Sequence, residues 1–136
     1  MRLGQMMRFP PVPAATRLRR HHALADMVQH AVRAGSYAEP WDRTPRIWES
    51  YDTESDILRD LHQQWRTELA GSIFVAIERG NGDLCADVGA AYAEVIARLS
   101  GVKKILDAYA AHPAIAPALA KERALLTAAS HAINAA

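Results

Sequence analysis

The chain has 136 residues, half of them apolar, and a formal net charge of +1. This length predicts one domain, and the apolar fraction is sufficient for a hydrophobic core. The sequence contains no apolar run long enough to cross a membrane and no apolar segment typical of a secretory signal. Its single cysteine, Cys85, excludes an internal disulfide and fits a reducing compartment. We therefore expect a cytoplasmic protein.

Charge is unevenly distributed along the chain. Residues 1–33 contain six arginines and one aspartate, whereas residues 52–136 contain eight lysines or arginines and eleven acidic residues. This asymmetry indicates the kind of partner rather than the fold. Because Pro10, Pro11 and Pro13 interrupt regular structure, we predict that residues 1–13 form a mobile basic arm. Residues 14–136 are predicted to form a single helical domain.

Residues 14–34 are predicted to form the first helix, which Gly35 ends. Apolar spacing predicts that its buried face consists of His21, Leu24, Val28 and Ala31.

Three arginines lie in the first half of this helix, namely Arg17, Arg19 and Arg20. Positive charge is unfavourable at a helix N-terminus, so their role is not local helix stability. Two interpretations are open: a solvated basic face, or a set of phosphate contacts for a nucleic acid. No aromatic residue alternates with these arginines, which weakens the second interpretation.

Residues 36–52, hereafter the strap, are predicted to be irregular because Pro40 and Pro45 interrupt any helix. This segment nevertheless holds four of the nine aromatic residues. It is expected to pack across the bundle, to form a partner-binding patch, or to act as a lid over a ligand. The predicted partner-binding residues are Trp41, Arg43, Arg46, Trp48 and Tyr51.

Residues 53–99 are predicted to be the central element, a long antiparallel helical hairpin. Its helices are expected over about 54–79 and 83–99, with Thr53 and Asp83 as N-caps and a break near Gly71. The first helix would present Ile57, Leu58, Leu61, Trp65, Leu69, Ile73, Ala76 and Ile77 on its buried face. The second would present Leu84, Val88, Ala91, Tyr92, Val95 and Leu99.

Two further helices are expected after the hairpin. Ser100 is the predicted N-cap of a short amphipathic helix, and the last helix is predicted from about Ala116 to about His131. Its expected inward residues include Leu119, Leu125 and Leu126, with Glu122 facing water. The predicted fold class is therefore all-α, a small bundle of four to five helices built on the hairpin.

The sequence carries no recognisable catalytic or metal-binding motif. Its six histidines show no spacing of the helical zinc or di-iron motifs, and no glycine-rich phosphate loop or nucleophile elbow is present. We therefore predict no catalytic residue, no metal and no cofactor.

The leading functional prediction is a non-enzymatic protein that acts through contact with another protein at the strap. The first alternative is a nucleic-acid-associated protein that uses the basic arm and Arg17, Arg19 and Arg20. The second is a small-molecule binder or enzyme with a pocket between hairpin and strap that contains His62 and Trp65. A homodimer is a further expectation, since short bundles often complete their cores by pairing.

Overall fold

The structure is a computed structural model that describes residues 12–80 and 82–135, with side chains up to residue 128. The predicted basic arm lies outside the described residues, apart from Val12 and Pro13. All regular structure in the described part is helical, and no helix in it is long and apolar enough to cross a membrane. The helices are α1 (Ala14–Ala34), α2 (Glu54–Arg79), α3 (Leu84–Arg98), α4 (Ser100–Ala108) and α5 (Ala116–Ala135), with two 3-10 helices, Pro40–Arg43 and Pro45–Glu49, inside the strap.

The all-α fold and the central hairpin are confirmed, and the helix ends follow from local chemistry. Gly35 ends α1 with a φ of 64°, a conformation that glycine adopts without strain. The Thr53 hydroxyl accepts a hydrogen bond of 3.2 Å from the Asp56 N–H, and Asp83 Oδ1 accepts one of 3.1 Å from the Ala86 N–H. The break expected near Gly71 is absent, because α2 continues through it.

One core joins the helices and the strap. It is formed by Leu24, Met27, Ala31, Trp41, Ile47, Tyr51, Ile57, Leu58, Leu61, Trp65, Leu69, Val95, Val102, Ile105, Leu106 and Ile115. On α1, the prediction for His21 is wrong: His21 is exposed, and Met27 is fully buried instead. Hydrophobic side chains at positions 24, 27 and 31 form a continuous α1 face, which leaves His21 in solvent.

Helix α4 approaches α1 closely at Gly101. A Cβ atom at this position would lie 2.7 Å from a Val32 methyl and 2.8 Å from a Val28 methyl, which is closer than real Cβ contacts. Gly101 is therefore a packing residue inside α4 rather than a break. Ser100 is the first residue of α4 and not its N-cap; Leu99 holds that position without a side-chain hydrogen bond.

Helix α5 differs from its predicted packing at two positions. Leu125 is 62% exposed instead of buried. Glu122, expected in water, is partly buried because its carboxylate reaches inward to the Trp65 ring nitrogen. Leu119 packs against the core, as predicted, and Ile115, which precedes α5, is buried.

Candidate functional site

The strap contributes two aromatic residues to the core rather than to the surface. Trp41 and Tyr51 are each 3% exposed. The Trp41 ring packs against Tyr109, with ring centroids 5.1 Å apart, and the Tyr109 hydroxyl accepts a hydrogen bond of 2.6 Å from the Glu39 N–H. The prediction of Trp41 and Tyr51 as partner-binding residues is therefore corrected, because neither side chain is available to a partner.

Tyr51 ties the strap to α1 and α2. Its hydroxyl donates a 2.9 Å hydrogen bond to Asp60 Oδ2, and burial together with this carboxylate raises the pKa of Tyr51. The Arg20 guanidinium lies over the Tyr51 ring at 5.3 Å, and its Nε donates a 3.2 Å hydrogen bond to the Ser50 carbonyl. Because these intramolecular contacts hold the Arg20 guanidinium, the structure does not present it as a free phosphate ligand.

The other predicted partner-binding residues and the other predicted phosphate contacts are exposed. Trp48 is 42% exposed, and Arg43 and Arg46 are also exposed. Arg46 pairs weakly with Glu49 at 3.8 Å. This leaves one tryptophan, rather than a cluster of aromatic residues, as the apolar part of the strap surface.

Arg17 and Arg19 are also exposed. Because they are exposed, these two arginines remain available for the phosphate contacts of the nucleic-acid alternative, which then has two such residues instead of three. That alternative stays a prediction.

The depression between α1, Tyr51 and α2 is open to solvent. It has a volume of about 310 Å³ and is lined by Arg17, Arg20, His21, Asp60 and Gln63 among others. The Tyr51 hydroxyl there is already hydrogen-bonded to Asp60, and the Arg20 guanidinium already lies over the Tyr51 ring. His62 and Trp65, which the expected ligand pocket would contain, do not line it; both are buried in the core.

Several large apolar side chains are exposed at the far end of the hairpin. No described residue in the range 70–90 is buried, so α2 and α3 extend beyond the core that ends at Leu69. Phe74 is 65% exposed and Ile77 is 45% exposed, although Ile77 was predicted to be buried. Leu84, at the start of α3, is 45% exposed and also contradicts its prediction.

A groove lies between α2 and α5. It has a volume of about 250 Å³ and is lined by Arg66, Leu69, Ala70, Ile73, Ala118, Lys121, Glu122, Leu125 and Leu126. Leu125 stands on its α5 wall, 62% exposed. We call the surface formed by this groove, Phe74 and Ile77 the distal face; Ala70, Phe74 and Ile77 share one side of α2 at steps of four and three.

A small polar cluster lies at the base of the groove. The Trp65 ring N–H donates a 3.3 Å hydrogen bond to Glu122 Oε2, and His62 Nε2 lies 3.9 Å from Glu122 Oε1. His62 Nε2 is buried and has no hydrogen-bond partner among the described residues. Burial lowers the pKa of His62, the Glu122 carboxylate opposes this, and Arg66 adds to the lowering. The cluster therefore favours neutral His62.

The sequence contains a signal for the distal face that stripe analysis missed. Residues 73–77 read Ile-Phe-Val-Ala-Ile, and five consecutive apolar residues cover every side of a helix. A single partner helix, α3, buries only one side. Some of these side chains must remain exposed unless another molecule covers them.

Comparison of the chain with protein-family models, with curated proteins and with solved structures finds no match in any of the three. Within the described residues, no group of three or more His, Cys, Asp or Glu side chains is placed to hold a metal ion.

Proposed function

We propose that this protein is a non-enzymatic interaction protein that binds another protein through its distal face. The observation that supports the proposal is the exposure of Leu125 on the wall of the groove together with the exposure of Phe74 and Ile77 on the same side of α2 as Ala70, which lines it. Contiguous exposed apolar side chains bordered by polar residues are typical of protein-binding surfaces.

The energetics favour coverage of this surface. Fully burying a leucine, isoleucine or phenylalanine side chain contributes about 1.5–3 kcal/mol. The three side chains are between 45% and 65% exposed, so about half of this free energy is unused in the isolated chain. Phe74 is the best anchor, since large aromatic side chains that fill a partner's pocket dominate binding energy.

The distal face is a better candidate than the strap. The strap exposes Trp48 among charged neighbours, because Trp41 and Tyr51 fill the core. An isolated exposed aromatic residue is ordinary on a protein surface. The distal face combines three large apolar side chains with a concave groove, which is the arrangement that a partner helix or loop requires.

The test is quantitative affinity purification of the tagged full chain from cells of its source, with three forms compared. These are the wild type, the double variant Phe74→Glu with Leu125→Glu, and Trp48→Ala. We expect partner recovery to fall by about tenfold or more in the double variant, the effect of losing binding hot spots. Recovery with Trp48→Ala should match the wild type. Loss with Trp48→Ala alone would assign the contact to the strap and reject the distal face.

A further inference from the structure

We infer that the α2–α5 groove binds an amphipathic helix whose flanking side chains are acidic; this inference rests on the proposed function and specifies its partner. The shape of the groove is the first observation. Leu69 and Ile73, one turn apart on α2, face Ala118, Leu125 and Leu126 on α5 across the groove. Two helices with a channel of apolar side chains between them accept the apolar face of a third helix.

The charge of the groove is the second observation. Arg66 on α2 and Lys121 on α5 line opposite walls and are exposed. Neither pairs with a carboxylate among the described residues. The carboxylate between them, Glu122, is mostly buried, with 19% of its side chain exposed, and already accepts the Trp65 hydrogen bond.

These positions determine the chemistry of the partner. Arg66 and Lys121 carry two positive charges against the one negative charge of Glu122, so this end of the groove has a net positive charge. A bound helix with carboxylates on both sides of its apolar stripe would place them next to Arg66 and Lys121. A basic helix would meet like charge on both walls, and such juxtaposition discriminates against a partner.

A second copy of this chain fits less well. An isologous contact centred on the groove would bring the Arg66 and Lys121 side chains of one copy towards those of the other. Four cations would then surround one apolar contact that holds two carboxylates, the mostly buried Glu122 of each copy. Charge complementarity therefore favours an acidic helix over self-association.

The test uses a displayed library of 16-residue helical peptides, which is selected for binding to the full-length protein. Each peptide has an apolar stripe at i, i+3, i+4 and i+7, and the positions that flank the stripe are randomised. We expect the selected peptides to be rich in Asp and Glu beside the stripe. The strongest is then synthesised, together with a copy in which Lys replaces the acidic residues. The acidic peptide should bind about tenfold or more tightly than the lysine copy, with affinity that falls as salt increases.

Three variants separate charge from apolar contact. Arg66→Glu with Lys121→Glu should weaken binding of the acidic peptide about tenfold, because each exposed ion pair contributes little energy and the charge reversal adds repulsion. Leu125→Gln should weaken binding of both peptides, and Trp48→Gln should leave the binding of both unchanged. All four substituted positions are exposed, so circular dichroism should show an unchanged fold.

The outcomes distinguish this inference from the proposed function. If Leu125→Gln weakens binding but the charge reversal does not, or if selection yields basic peptides, the distal face binds a partner and the acidic helix is wrong. If no peptide is enriched, or if binding is insensitive to Leu125→Gln, the groove is not a helix-binding site. A wild-type dimer in sedimentation velocity that Phe74→Glu dissociates would assign the face to a second copy and overturn the inference.

Discussion

The Tyr51 hydroxyl donates a 2.9 Å hydrogen bond to Asp60 Oδ2 and so fixes the end of the strap to α2. The two residues are nine positions apart, yet one belongs to the irregular strap and the other to a regular helix. Arg20 of α1 covers the other side of the Tyr51 ring. The strap is thereby a structural element that joins α1 to the hairpin, which explains why its aromatic residues are largely unavailable to a partner.

Tyr51→Phe should destabilise the protein by about 1–2 kcal/mol, because a hydrogen bond to a charged group is lost and Asp60 is left partly buried. The measurement is the free energy of unfolding in urea at neutral pH. Tyr37→Phe is the matched control, since the Tyr37 hydroxyl makes no hydrogen bond among the described residues and the ring is only partly buried. Equal losses for the two variants would contradict the role given to the Tyr51–Asp60 bond.

Trp41→Ala and Trp48→Ala should have very different effects on stability. Trp41 is buried against Tyr109, so its truncation should cost about 3–5 kcal/mol. Trp48 is 42% exposed, so its truncation should change the free energy of unfolding by about 0.5 kcal/mol or less. Urea unfolding of both variants under one condition tests this. A large loss for Trp48→Ala would show that the strap is packed differently from this structure.

Gly101→Ala and Gly71→Ala should shift stability in opposite directions. At Gly101 an added methyl group would press on Val28 and Val32, whose branched side chains adjust poorly, and we expect a loss of about 1–3 kcal/mol. At Gly71 nothing lies within 4 Å of the added atom, so the better helix propensity of alanine should stabilise the protein by up to about 1 kcal/mol. Thermal unfolding distinguishes the two. A gain for Gly101→Ala would contradict the close contact between α1 and α4.

His62 should make stability depend on pH. Burial lowers the pKa of His62 in the folded protein below the ordinary histidine value of 6.5, so the unfolded chain binds the proton more readily. The free energy of unfolding should therefore be fully retained above pH 6.5 and should fall as pH decreases from there towards the folded-state pKa. A separation of one pH unit between the two pKa values corresponds to about 1.4 kcal/mol.

His62→Met, which has a similar volume and does not titrate, should remove that part of the pH dependence. It should also leave stability at pH 7.5 unchanged or raised, because a buried nitrogen without a hydrogen-bond partner is eliminated. The measurement is urea unfolding of both proteins between pH 7.5 and pH 5.5. Parallel curves for wild type and variant would assign the pH dependence to other groups.

The parts of the fold that local chemistry determines were predictable from sequence. Gly35 ends α1, and Thr53 and Asp83 begin the two hairpin helices, because glycine and short polar side chains satisfy helix ends through contacts within a few residues. The antiparallel hairpin follows from the short loop between its helices.

The strap was not predictable in the same way. Pro40 and Pro45 begin two 3-10 helices rather than simply interrupting structure, and proline is compatible with the first position of a helix. Whether an aromatic side chain in such a segment faces the core depends on contacts distant in sequence. Trp41 meets Tyr109, sixty-eight positions away, and no local pattern encodes that pairing.

The distal face was missed for a different reason. Apolar periodicity identifies which residues share a helix face but not whether another element covers that face. Ile77 belongs to the same apolar stripe as the buried Leu69, and Leu84 to the same stripe as the buried Val95. The core nevertheless does not extend to the end of the hairpin where Ile77 and Leu84 lie. The failure of the stripe prediction is thus located at the surface proposed to bind a partner.

The most direct test of the distal face is photo-cross-linking in cells of the protein's source. A benzophenone amino acid is introduced singly at Phe74, at Trp48 and at the exposed position Gln29 of α1, and covalent adducts of the full chain are compared after irradiation. We expect partner adducts from position 74 and none above background from positions 48 or 29. Adducts from position 48 with none from position 74 would contradict it.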